Sequence, residues 1–114
     1  MTAAAPASLA DLVARRQPGR ALETDFYTRP DIFEADMANI FGKHWIYVGV
    51  EPDVPEAGDV MVVDIGKWSI LIVRDDDMAV RAFHNVCRHR GARLVNTPKA
   101  VVGNIVCGYH AWNY

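Results

Sequence analysis

Cysteine is scarce in this 114-residue chain: Cys87 and Cys107 are the only two. A small scaffold stapled by several disulfides is therefore excluded. Long apolar runs are missing as well, and none approaches the roughly 18 residues that carry a helix across a bilayer. The opening stretch MTAAAPASLADLVARRQPG is alanine-rich but has no continuous hydrophobic segment leading to a cleavage site. Arg15-Arg16 has nothing apolar behind it, so no export signal is read. These absences predict a cytoplasmic protein with no membrane role. In that compartment a structural disulfide is not expected, which leaves free thiols, a redox pair or metal ligands.

Acidic residues are absent from one third of the chain. Residues 1–77 carry 7 Lys/Arg against 14 Asp/Glu, whereas residues 78–114 carry Arg81, Arg88, Arg90, Arg93 and Lys99 and no acid. A basic end on an acidic body suits nucleic acid, an acidic protein partner or a cofactor whose charge it tunes. The basic residues are single and spread out, without the stacking aromatics between them that single-strand binders use, so no nucleic-acid partner is expected.

What is present is ordinary globular composition, 51% apolar and 23% charged, enough for one modest core. Ser8-x-x-Asp11 forms a capping-box pattern before a short helix closed by Pro18-Gly19. A second helix is predicted from Thr28 as cap, Pro30 in the first turn and Asp31 behind it, with Phe33, Met37, Ile40 and Phe41 as a packing stripe and Gly42 as its end. From residue 44 the period changes to that of strands. HWIYVGV (44–50), VMVVDI (60–65), WSILIVR (68–74) and MAVRAFH (78–84) alternate with turn chemistry, Gly66-Lys67 reads as a tight hairpin, and 101–106 has room for one more short strand. The expected fold is mainly β, small antiparallel sheets closing toward a barrel or sandwich, behind an N-terminal helical arm. The expected division is residues 1–43 for the arm and 44–114 for the β domain.

Both cysteines and two of the four histidines lie in FHNVCRHRGARLVNTPKAVVGNIVCGYHAWNY (83–114), as Cys87-x-His89, 17 residues, then Cys107-x-x-His110. Structural zinc sites pair ligands as C-x2–4-C and H-x3–5-H, because each pair folds around one ion. Here each loop offers one thiolate and one imidazole, and the first pair is separated by a single residue. That spacing fits better when the two ligands of one loop need not reach the same ion. A [2Fe–2S] core of the Rieske type, with two thiolates on one iron and two imidazoles on the other, meets the condition. A zinc-stabilised interaction module and unrelated free cysteines stand as the alternatives. Imidazole ligation would lift the potential to between about −150 and +300 mV, against about −400 mV for all-cysteine plant-type clusters, and the basic segment would favour the reduced form.

C-R-H-R-G and C-G-Y-H-A-W, with Asn85 ahead and Tyr114 behind, resemble the cluster loops of Rieske-type non-haem iron oxygenase alpha subunits. The resemblance runs upstream through YTRPDIFEADMANIFGKHWIYVG and EPDVPEAGDVMVVDIG, and its texture is nearest the glycine betaine and stachydrine demethylase branch of the aromatic-ring hydroxylating dioxygenases. It implies that Cys87, His89, Cys107 and His110 hold the cluster. It also implies a reductase or ferredoxin as electron donor, a homotrimeric parent subunit, and a mononuclear non-haem Fe(II) elsewhere in that parent. The facial triad for such an iron has no counterpart here, since only His44 and His84 remain, both in or beside predicted strands. The chain is thus expected to be the electron-accepting module of an oxygenase, incomplete at its C-terminus and not catalytic alone. A free-standing Rieske ferredoxin is the other electron-transfer reading, against which the helical arm argues. Arg90 and Arg93 are expected to dock an acidic reductase or to hold cluster-side backbone, with a solvated basic loop as the equal alternative, and Trp112 to pack over the second loop as core more than as electron conduit. The second cysteine per loop and the serine that follows in respiratory-complex Rieske proteins are both missing, which places the potential in the lower part of the range.

Overall fold

The computed structural model describes residues 6–114. The chain divides into two compact units, one ending at Ile46 and the other spanning Tyr47–Tyr114.

In the first unit, α1 (Leu9–Ala14) begins at the expected box: Ser8 Oγ accepts from the Asp11 amide at 3.1 Å and the Asp11 carboxylate accepts from the Ser8 amide at 3.2 Å. Two short helices follow, α2 (Asp25–Thr28) and α3 (Pro30–Asp36). Thr28 is not the cap it was expected to be. It closes α2, and its hydroxyl donates to the Thr24 carbonyl at 3.1 Å. Arg29 precedes α3 with φ −84 and ψ 126, because a residue before proline is pushed out of the helical region. The stripe also shifts. Ile32 and Met37 are buried while Phe33, Ile40 and Phe41 stay exposed. Phe33 lies off the face that Ile32 buries in α3, and beyond it a π-helical turn over Met37–Phe41, where Gly42 N–H reaches back to Met37 O at 2.8 Å, takes Ile40 and Phe41 off the helical phase of Met37.

In the second unit, β1 (Asp59–Ile65), β2 (Trp68–Arg74), β3 (Val80–His84) and β4 (Lys99–Val101) form one antiparallel sheet in the order β3-β2-β1-β4. Gly66-Lys67 makes the predicted two-residue connection, with Ile65 opposite Trp68 and Gly66 at a positive φ of 56 that suits glycine at the first turn position. Pairing Val60 with Val73 and Val62 with Leu71 puts four aliphatic side chains on one face. Val60, Leu71 and Val95 are buried there, with Val62, Val73, Leu94, Ala100, Val102 and Ile105 packed around them.

The strand expected over 44–50 does not form. Gly49 lies so close to Asp53 that an added Cβ would be 2.8 Å from Oδ2, and the Val50 amide donates to that carboxylate at 3.0 Å. The chain thereby enters a 3-10 turn at Glu51–Asp53 rather than a ladder, leaving Trp45 and Tyr47 exposed. β4 lies slightly upstream of its expected place, and Val106 instead forms an isolated bridge to Asn113. Among the described residues the sheet stays open and does not close into a barrel. Arg74, at the end of β2, is buried without an acid, its guanidinium donating to the carbonyls of Val54, Met78 and Glu51.

Candidate metal centre

The two cluster-type loops share one backbone plan. In the first, Gly91 N–H donates to Cys87 O at 2.9 Å and Cys87 N–H donates to Ala92 O at 2.7 Å. In the second, Ala111 N–H donates to Cys107 O at 2.9 Å and Cys107 N–H to Trp112 O at 2.7 Å. The residue four after each cysteine is left-handed, Gly91 at φ 73 and Ala111 at φ 55. Gly91 adopts that conformation freely, whereas Ala111 carries the strain of a Cβ there.

These loops bring the two cysteines next to each other and the two histidines next to each other. Cys87 and Cys107 are unpaired as disulfide partners and almost wholly buried, at 3% and 2% exposure. His89 and His110 are exposed, with ring centroids 4.9 Å apart and planes at 75°. His44 and His84 are not part of the group: His44 lies outside any strand, and His84 ends β3.

Tyr114 joins the site by a contact that spacing alone did not reveal. Its hydroxyl accepts from the Arg88 amide at 2.9 Å, leaving its own proton for Cys87 Sγ at 3.2 Å. That bond is the main reason the Cys87 thiol lies below its ordinary pKa; burial opposes it, and the His89 amide, Cys107 and the Arg90 amide reinforce it. The same contact raises the pKa of Tyr114, with burial in support. A chain position four residues after His110 was the available signal for this tyrosine.

Asn85, two residues ahead of Cys87, closes the first loop. Buried at 3% exposure, it accepts from the Leu94 and Val95 amides at 3.0 and 2.9 Å and donates to Val95 O at 2.7 Å and Ser69 Oγ at 3.1 Å. Arg93 adds a bond to Val95 O at 3.2 Å and pairs with Asp64 at 3.1 Å, so of the two expected arginine roles it takes the backbone-holding one. Arg90 lies 5.7 Å from the Tyr109 ring centroid. Trp112 does not pack over its own loop. Its indole stacks on His89 of the first loop at 4.9 Å and 5°.

The donor set fits an iron–sulfur cluster better than one ion. Among the described residues, no three His, Cys, Asp or Glu side chains converge as a mononuclear site requires. Two buried thiols and two adjacent, exposed imidazoles make two pairs of donors, as a two-iron centre needs. The N–H and O–H groups aimed at Cys87 suit a thiolate ligand.

The Rieske [2Fe-2S] domain matches residues 44–114. The chain belongs to the Rieske [2Fe-2S] domain family. The chain is also similar, at 42% identity over 112 residues, to the glycine betaine monooxygenase oxygenase subunit of Chromohalobacter salexigens, covering 98% of this chain and 25% of that relative. The alpha subunit of biphenyl 2,3-dioxygenase from Rhodococcus jostii is 36% identical over 110 residues, 96% of this chain and 24% of the relative. Among solved structures, the quaternary ammonium Rieske monooxygenase CntA in complex with gamma-butyrobetaine matches with a TM-score of 0.75 at 35% identity, covering 80% of this chain and 26% of that one. Naphthalene 1,2-dioxygenase from Rhodococcus sp. matches with a TM-score of 0.77 at 28% identity, covering 82% and 21%. The chain spans about a quarter of the length of the curated relatives it matches. The domain is thus a Rieske domain homologous to that of oxygenase subunits, and no helix among the described residues is long and apolar enough to cross a membrane.

Proposed function

We propose that this chain is the electron-receiving part of a Rieske non-haem iron oxygenase subunit, with residues 1–43 as a helical arm and 44–114 as the cluster domain. Cys87 and Cys107 hold one iron of the cluster, and His89 and His110 the other. The observation that carries the reading is the two pairs of donors, two buried thiols and two adjacent, exposed imidazoles. Bound there, a [2Fe–2S] cluster supplies a one-electron carrier whose potential the imidazole ligands raise. The chain's own residues bury the thiolate side, donate to Cys87 through Tyr114, and leave the imidazole side open to a partner. Arg88 and Arg90 add positive charge around that opening, suited to an acidic reductase or ferredoxin.

The likeness to the betaine monooxygenase subunit continues through the arm, which supports an oxygenase over a free-standing ferredoxin. In the complete subunit the electrons would go to a mononuclear iron outside this segment, within a homotrimer, and a quaternary amine is the favoured substrate class. Reconstitution of the chain with iron and sulfide tests the cluster: two irons and two acid-labile sulfides per chain and a visible spectrum are expected. Stoichiometric zinc without sulfide would refute it. For the substrate, the complete subunit with its reductase should release formaldehyde from glycine betaine; turnover of an aromatic substrate instead would overturn the amine assignment.

A further inference from the structure

The two loops repeat each other's backbone, but the residue five after each cysteine differs: Ala92 in the first loop and Trp112 in the second. Both use their carbonyl to accept from the cysteine amide, so both are held at the same point of the plan. The consequence is asymmetric. The Trp112 indole lies parallel to one face of His89 at 4.9 Å and 5°, whereas His110 meets His89 edge-on, at 75°, and its other ring neighbour, Tyr109, is tilted against it at 3.9 Å and 42° and does not lie flat on it. Ala111, left-handed at φ 55, is the residue that turns the chain immediately before Trp112 and directs it toward the first loop.

We infer that Trp112 is a positioning residue for His89: its stacked indole fixes the plane of that one imidazole and covers one of its faces, making the two histidines inequivalent. The inference rests on the cluster reading above. A flat partner parallel to the ring resists rotation of the imidazole out of its plane, an effect a bulky but non-planar side chain does not reproduce. Because Trp112 is itself 47% exposed, it acts as a cover on the surface and not as a core residue.

The test compares the reconstituted full chain with its Trp112→Phe and Trp112→Leu variants. Pulsed EPR of the reduced cluster resolves the two coordinating imidazole nitrogens, and bleaching by a ferrous chelator gives the rate of cluster loss. In Trp112→Leu, one nitrogen coupling should change while the other stays at its parent value, with cluster loss about 2- to 10-fold faster, the range expected from one aromatic stack. Trp112→Phe should restore the parent coupling and most of the lifetime. Parent couplings in Trp112→Leu, equal changes at both nitrogens, or a phenylalanine variant no nearer the parent than leucine would overturn the inference. A parent chain that takes up iron and sulfide without the two-nitrogen signal would instead remove the ligand assignment, and this inference with it.

Discussion

Ala111 and Gly91 occupy equivalent places in two equivalent loops, so exchanging their residue types isolates one backbone term. Each is left-handed, at φ 55 and φ 73. A non-glycine residue in that region costs about 1–2 kcal/mol. Glycine avoids that cost but loses about 0.4–1 kcal/mol more conformational entropy on folding. Ala111→Gly should therefore stabilise the chain by a net ~0.5–1 kcal/mol. Gly91→Ala should destabilise it by a similar amount, and for that reason alone, because a Cβ at Gly91 meets nothing within 4 Å. The double variant should return to the parent value. Urea unfolding followed by tryptophan fluorescence reads the difference as a midpoint shift of about 0.3–0.5 M at the slopes usual for small domains. A neutral or destabilised Ala111→Gly, or a Gly91→Ala chain as stable as the parent, would refute the argument that backbone conformation dominates at these two positions.

Tyr114→Phe removes the donor to Cys87 Sγ and the acceptor for the Arg88 amide. Redox titration of the reconstituted chain should find the potential lowered by tens of mV, the order expected from one charge-assisted hydrogen bond. An unchanged potential would remove the tyrosine from the electrostatics of the site. Asn85→Ala leaves the Leu94 and Val95 amides without their acceptor in a buried setting. Urea unfolding should show a loss of about 2–4 kcal/mol, and a loss below 1 kcal/mol would contradict the closing role given to this side chain. Asp77 lies below the ordinary carboxylate range, chiefly because Arg81 bonds it and then because the Ala79 amide does. Its contribution is thus present above the unfolded-state carboxylate pKa and fades as pH falls through about 4 toward the folded value. Asp77→Asn should lower the melting temperature at pH 7 while flattening its decline between pH 7 and pH 3, and an equal decline in both proteins would count against it.

Local patterns made much of the second unit legible. The alternation in 59–65 and 68–74 and the Gly66-Lys67 turn define a hairpin whose register follows from the chain itself. HWIYVGV has the composition of a strand, yet the chain beyond it is drawn into the turn held by Asp53, and β4 occupies the edge of β1. Likewise the stripe from Phe33 to Phe41 obeys helical spacing until the π turn changes its phase, a shift no residue type announces. At the site, C-x-H and C-x-x-H point to the two cysteines and two histidines proposed as donors, but the hydroxyl of Tyr114 and the ring of Trp112 came from contacts between the loops.

The sequence by itself determined which candidate donors each loop carries, one cysteine and one histidine, because spacing within a short loop limits what its ends can reach. It also determined the hairpin and the capped first helix, where every partner is a few residues away. Tertiary structure decided which thiols are buried, which imidazoles face outward, and which of them the indole covers. Those outcomes depend on packing two loops, separated by 17 residues in the chain, against one another, and local sequence carries no measure of that distance.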